Sequence, residues 1–236
     1  MESIMNLGWS CLAVFLLASL AEAQSTPLVA IYGMREKTAL EGVIKEYEGD
    51  LQARPNDPGA LKALGIAYHN LGRLKARGAV STAVKYLEQA RAFLPGDAEV
   101  LAYFGSARTM VARDSWNPIT KLSAVRDGAK LIDTAVARDP DNVTVRFVRV
   151  NNSLKLPRFF NRAHYAKTDL QHLLKLSAPD GQHAQMFSPA MVAELHFKLG
   201  EIYKDENEEQ LARDHWTKAL ELAPNSEWGR EAKKRL

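Results

Sequence analysis

The chain has 236 residues, 46% hydrophobic and 25% charged, with a net charge of +3. That is the composition of a globular protein of one or two domains, and it excludes intrinsic disorder and collagen-like structure. The basic excess is spread along the chain apart from one cluster, so it does not mark a nucleic-acid binder, which gathers positive charge in a stripe.

The first element is an apolar run, LAVFLLASL at 12–20, followed by Ala21-Glu22-Ala23. Small residues at the first and third of those positions suit a signal peptidase, so residues 1–23 are expected to be an export signal cleaved before Gln24. Nine apolar residues are too few for a bilayer span, which needs about 20. The stretch ahead of the run departs from the usual signal in holding no Lys or Arg. The only cysteine, Cys11, precedes the run and so is not a lipobox cysteine. Removal of residues 1–23, which carry Glu2 and Glu22, leaves 31 bases against 26 acids and no cysteine. The mature chain then has no disulfide framework, no thiolate metal site and no stable membrane insertion.

After a segment at 24–39, four similar turns punctuate the chain: RPNDP at 54–58, LPGDA at 94–98, DPDNV at 139–143 and APNSE at 223–227. Each reads as a helix stop followed by a start. Proline cannot continue a helix, and the Asp, Asn or Ser after it can accept from the free amides of the next first turn. Ala178-Pro179 is a weaker fifth rung. Between rungs the apolar residues recur at three and four, the helical period, so the expected fold is all-α. Gly65, Gly105 and Gly200 on the first helices, and Ala83, Gly128 and Ala212 on the second, are small where paired helices must approach closely. Tyr68, Tyr203 and Trp216 fill the gaps between hairpins. A lone hairpin cannot bury its apolar stripe on both sides, so neighbours must stack.

These residues resemble the tetratricopeptide repeat family, whose 34-residue unit carries Leu-Gly-x-x-Tyr on its first helix and Ala, an aromatic, Ala and Pro along its second. The clearest unit, 193–226, has Leu199, Gly200, Tyr203, Ala212, Trp216, Ala219 and Pro224 at family spacing. Units at about 58–97 and 98–142 match with lengthened hairpins. The unit at 143–178 is degenerate, with Arg149 and Val150 in place of Leu-Gly. A half-unit at 40–55 and an end helix at 226–236 cap the array. The mean rung spacing, near 42, suits HEAT-like repeats as well, and the 34-residue register of the last unit decides against them. The resemblance implies a right-handed superhelix of antiparallel hairpins over 40–236, with the first helices lining a concave side.

The common signatures of chemistry, HExxH, Gly-Lys-Ser/Thr, GxGxxG and GxSxG, are absent from the sequence. His164 and His172 sit eight apart without an acidic ligand beside them, and the acidic run at 204–209 lacks the alternation and glycine of a calcium loop. No cofactor or metal is implied. Counting from the signature positions places Lys62, Ile66, His69 and Asn70 on the concave side, then Glu99, Ala102, Ser106 and Thr109. Thr144, Phe147, Asn151 and Lys155 follow, and then Glu194, Phe197, Glu201 and Lys204. The Lys/Asn/Arg clamp by which some family members hold a carboxyl-terminal tail is not supported, because its places hold Ile66, Ser106 and Phe147. The degenerate unit carries the densest basic cluster, Arg146, Arg149, Lys155, Arg158, Arg162, His164 and Lys167, interleaved with Phe159, Phe160 and Tyr165. Two readings of it stand: an acidic partner docks there, or its arginines pair with acids of adjoining hairpins. The extra residues at 113–127 either form a functional loop or lengthen both helices and tuck Trp116 against them.

The expected function is that of an exported, non-catalytic scaffold, periplasmic or secreted, that binds a protein or peptide on the concave groove or the basic cluster and takes no nucleic acid. The alternatives are an envelope assembly or chaperone-type factor for extended clients, and a small-ligand protein or enzyme with a pocket in the groove.

Overall fold

The computed structural model describes residue 26 and residues 28–236; the expected signal peptide at 1–23 lies outside the described residues. Those residues form helices and connecting turns only. In chain order the helices are α1 (Leu28–Tyr32), α2 (Lys37–Ala53), α3 (Pro58–Arg73), α4 (Ala79–Phe93), α5 (Ala98–Asp114) and α6 (Pro118–Arg138). Then come α7 (Val143–Lys155), α8 (Ala163–Leu176), α9 (Pro189–Asp205), α10 (Glu209–Leu222) and α11 (Glu227–Lys233). Short 3-10 turns stand at Arg158–Phe160 and Ala184–Met186.

The rungs act as helix starts. Asp57, Asp97, Asn142 and Ser226 each accept a hydrogen bond from an amide of the first turn that follows. Such caps contribute about 1 kcal/mol each. The weak rung at Ala178-Pro179 does not start a helix: α9 begins ten residues later, capped by Ser188. The extra residues at 113–127 lengthen α5 and α6 instead of forming a long loop. Trp116, in the short break between them, is not tucked in and stays 90% exposed.

Packing follows chain order. The hairpins α3/α4, α5/α6, α7/α8 and α9/α10 stack side by side, with α2 against α3 at one end and α11 against α9 and α10 at the other. The buried apolar residues form successive clusters: one from Ile31 to Val148, a second from Val143 to Ile202, and a third around Trp216. That is a linear pile and not a bundle round one hub. Close approach rests on missing side chains at the crossing of α5 and α6, where a Cβ on Gly105 would lie 2.6 Å from the Gly128 carbonyl oxygen, and the converse 2.5 Å.

Candidate functional site

The first helices of the hairpins, α3, α5, α7 and α9, face a common concave space. Together with the segment after α1, the start of α6 and the two 3-10 turns they enclose a chamber of about 810 Å³. Its wall is apolar over much of its extent, with Met110, Leu122, Val125, Phe147, Phe160 and Met191. Of the residues expected on the concave side, the chamber brings together His69, Ser106, Thr109, Thr144, Phe147, Asn151, Lys155 and Glu194.

The polar ones among them are largely tied to one another. His69 Nε2 lies 2.9 Å from Ser106 Oγ, and its ring stands edge-on to Tyr103 with centroids 5.0 Å apart. Burial, aided by the nearby Arg73 charge, pushes the His69 pKa down to about 3, so the ring is neutral at physiological pH. Thr109 Oγ1 donates to the Ser106 carbonyl oxygen and accepts from Asn152 Nδ2 at 2.6 Å. Lys198 Nζ bridges Glu194 and Asn151, both at 2.6 Å.

The other eight residues expected on the concave side lie away from the chamber, and the contacts of five of them show why. Lys62 is buried in bonds to Asp97 at 2.8 Å and Glu99 at 2.6 Å, which tie α3 to α5. Asn70 donates to the Ile31 carbonyl oxygen and anchors α1. Phe197 is buried against Trp228 of α11, and Glu201 pairs with Arg235, so the end helix itself covers that part of the concave face. Lys204 pairs with Glu209 across the exposed turn of the last hairpin.

The basic cluster of the degenerate hairpin is corrected most sharply. Arg146 and Arg149 are buried, and both bind Asp169 of α8, which has no exposed surface at all. Arg162 forks onto Asp133 of the preceding hairpin at 2.7 and 2.6 Å, and Arg158 pairs with Asp205. An arginine whose donors are committed to a buried carboxylate cannot also hold a partner without exposing that carboxylate unpaired. Of the two readings, pairing with adjoining hairpins describes Arg158 and Arg162, while Arg146 and Arg149 pair within their own hairpin and Lys155 of the same cluster lines the chamber.

Lys155, expected on the concave side, belongs to a set of helix-end cations whose other members, Arg73 and Arg113, counting from the signature positions did not reach. Arg73 and Lys155 end α3 and α7, and Arg113 stands in the last turn of α5. A basic residue therefore recurs at 73, 113 and 155 where stacked helices finish, and that spacing was the available signal. Cations are favoured there by the helix dipole. Arg35, after α1, also lines the chamber. It reaches Glu227 at 3.2 Å and Glu194 at 3.8 Å and lies over the Trp228 ring, so it straps the two ends of the array together.

The sequence model of the tetratricopeptide repeat family matches residues 193–226. No curated protein matches the chain significantly. Among solved structures, TTC0263, a thermophilic TPR protein in Thermus thermophilus, is 18% identical, covers 84% of this chain and 91% of its own, and superposes with a TM-score of 0.63. MamA is also 18% identical, over 84% of this chain and 93% of its own, at a TM-score of 0.51. At that identity the likeness shows the fold, a stack of helical hairpins, and residues 193–226 are one repeat of the tetratricopeptide type within it. No helix among the described residues is long and apolar enough to cross a membrane.

Proposed function

We propose that the protein is exported and serves as a binding scaffold, taking a segment of a partner protein into the concave chamber between α3, α5, α7 and α9. The observation that carries this reading is the chamber's make-up: apolar wall for affinity, charged groups at its edges for orientation, and about 810 Å³ of open space. Export rests on the apolar run at 12–20 and the Ala21-Glu22-Ala23 that follows it. The mechanism is equilibrium binding on a preformed surface, with no bond made or broken.

A photo-crosslinking residue at Thr144, inside the chamber, tests the reading against one at Lys85 on the exposed face of α4. In the producing cell the first is expected to capture a defined protein and the second to capture none of it. Equal capture from both positions would contradict the assignment. Mass spectrometry of the same protein is expected to find Gln24 as the amino terminus, and an intact Met1 would remove the export claim.

A further inference from the structure

The chamber holds a charge imbalance that its own side chains leave unresolved. Lys198 is neutralised by Glu194, and Arg35 is shared between Glu194 and Glu227. Arg113 donates to the Gly72 carbonyl oxygen. Arg73 and Lys155 are different: like the exposed Lys121 at the start of α6, neither has a hydrogen-bond or ion-pair acceptor among the described residues, and both close their helices on the chamber. Burial and the neighbouring cations pull both side chains below their ordinary pKa: Arg73 against Arg35, offset in part by Tyr103 and Glu194, and Lys155 against Arg73, Lys198, Arg35 and Arg113. Glu194, the one acid of the lining, is already engaged. A bound carboxylate would relieve that repulsion.

The wall narrows the choice of what carries the carboxylate. An extended peptide brings a row of backbone N–H and C=O groups that must find partners once buried. Here His69, Ser106, Thr109 and Asn151 are engaged with protein groups, and Asn152 Oδ1 is the only lining side-chain atom left buried without a partner among the described residues. A helix satisfies its own backbone and needs from the wall only apolar contact and charge.

We infer that the occupant is an amphipathic helix of the partner protein, its apolar stripe laid on Phe147, Leu122 and Met191 and its edge carrying Asp or Glu toward Arg73 and Lys155. The inference rests on the chamber being the protein-binding site, as proposed above. It differs from a carboxyl-terminal clamp, since the cations end their helices and the interior positions hold Ile66, Ser106 and Phe147.

Random peptides about 16 residues long, enough for helix to form on binding, displayed against the purified full chain, test this without a known partner. Expected winners carry Asp or Glu beside Leu, Phe or Met at three- and four-residue spacing, and gain helical circular dichroism on binding. They bind R73S/K155S roughly tenfold more weakly, with its melting curve unchanged, and weaken as salt rises. Winners that are basic, uncharged or proline-rich would overturn the inference while leaving the chamber as a peptide site. So would acidic winners that bind R73S/K155S as well as wild type. Acidic winners that bind Thr144→Trp unchanged would move the site elsewhere, and no winners at all would overturn the chamber reading itself.

Discussion

The last hairpin and the one before it reach the same shape by different chemistry. In α9/α10 the indole of Trp216 fills the notch left by Gly200, and Ala212 and Ala219 let the helices close. In α7/α8 the notch is gone, because Arg149 and Val150 stand where the family pattern has Leu-Gly. There, Arg146 and Arg149 converge on Asp169 at 2.6 to 2.7 Å, and Arg162 reaches back to Asp133. One hairpin is specified by shape and the other by a buried ionic lock. Repeat architecture constrains where helices meet, and it leaves open which interaction holds them.

The comparison predicts unequal fragility. Asp169→Asn strands two buried guanidinium groups and is expected to lose about 3–5 kcal/mol, read from chemical denaturation. Replacing all three lock residues with apolar ones of similar size is expected to recover most of that loss. If Asp169→Asn proves neutral, the lock is not what holds α7 to α8. Gly200→Ala comes next: a Cβ there would lie 2.5 Å from Trp216 Cδ1, so the ring must shift, at about 1–3 kcal/mol with a change in tryptophan emission.

Acid sharpens the contrast further. His196 and His215 of the last hairpin face each other through Nδ1 atoms 2.8 Å apart, one ring donating and the other accepting, so the two rings cannot both be charged. Burial and His215 push the His196 pKa down to about 4, and burial with Lys218 also lowers His215. Buried His69 is shifted the same way. Because the folded values lie below the unfolded one near 6.5, the unfolded chain binds more protons in this window. Stability is therefore full above about pH 6.5 and is lost as pH falls toward 4, by about 1.4 kcal/mol per pH unit for His69. His69→Gln is expected to flatten that slope in melts taken between these pH values, and an unchanged slope would contradict the assignment. The smallest effect belongs to Arg35→Ala. Its side chain is half-exposed, so the loss should stay within about 1 kcal/mol even though the strap across the array is cut.

Much of the fold was legible because its determinants are local. Proline with a capping residue ends one helix and starts the next within five positions, and small residues mark the crossings. The site was legible by half. His69, Thr109, Phe147, Asn151 and Lys155 follow from counting along a helix whose inner face the repeat sets. The partners of Arg146 and Arg149 did not follow, since Asp169 comes 20 or more residues later on a separate helix and nothing local ties them. Arg35 meeting Glu227 spans 192 residues and depends on how far the whole stack curves. Phe197 and Glu201 were lost to the groove because α11 folds over the face they share.

The most direct test is a titration of the isotopically labelled chain with a partner segment, followed by amide chemical shifts. Binding in the chamber predicts perturbations at His69, Ser106, Phe147, Asn151 and Lys155, with the outward-facing positions of α4, α8 and α10 unmoved. Shifts confined to those outer helices, with the inner set silent, would contradict the account.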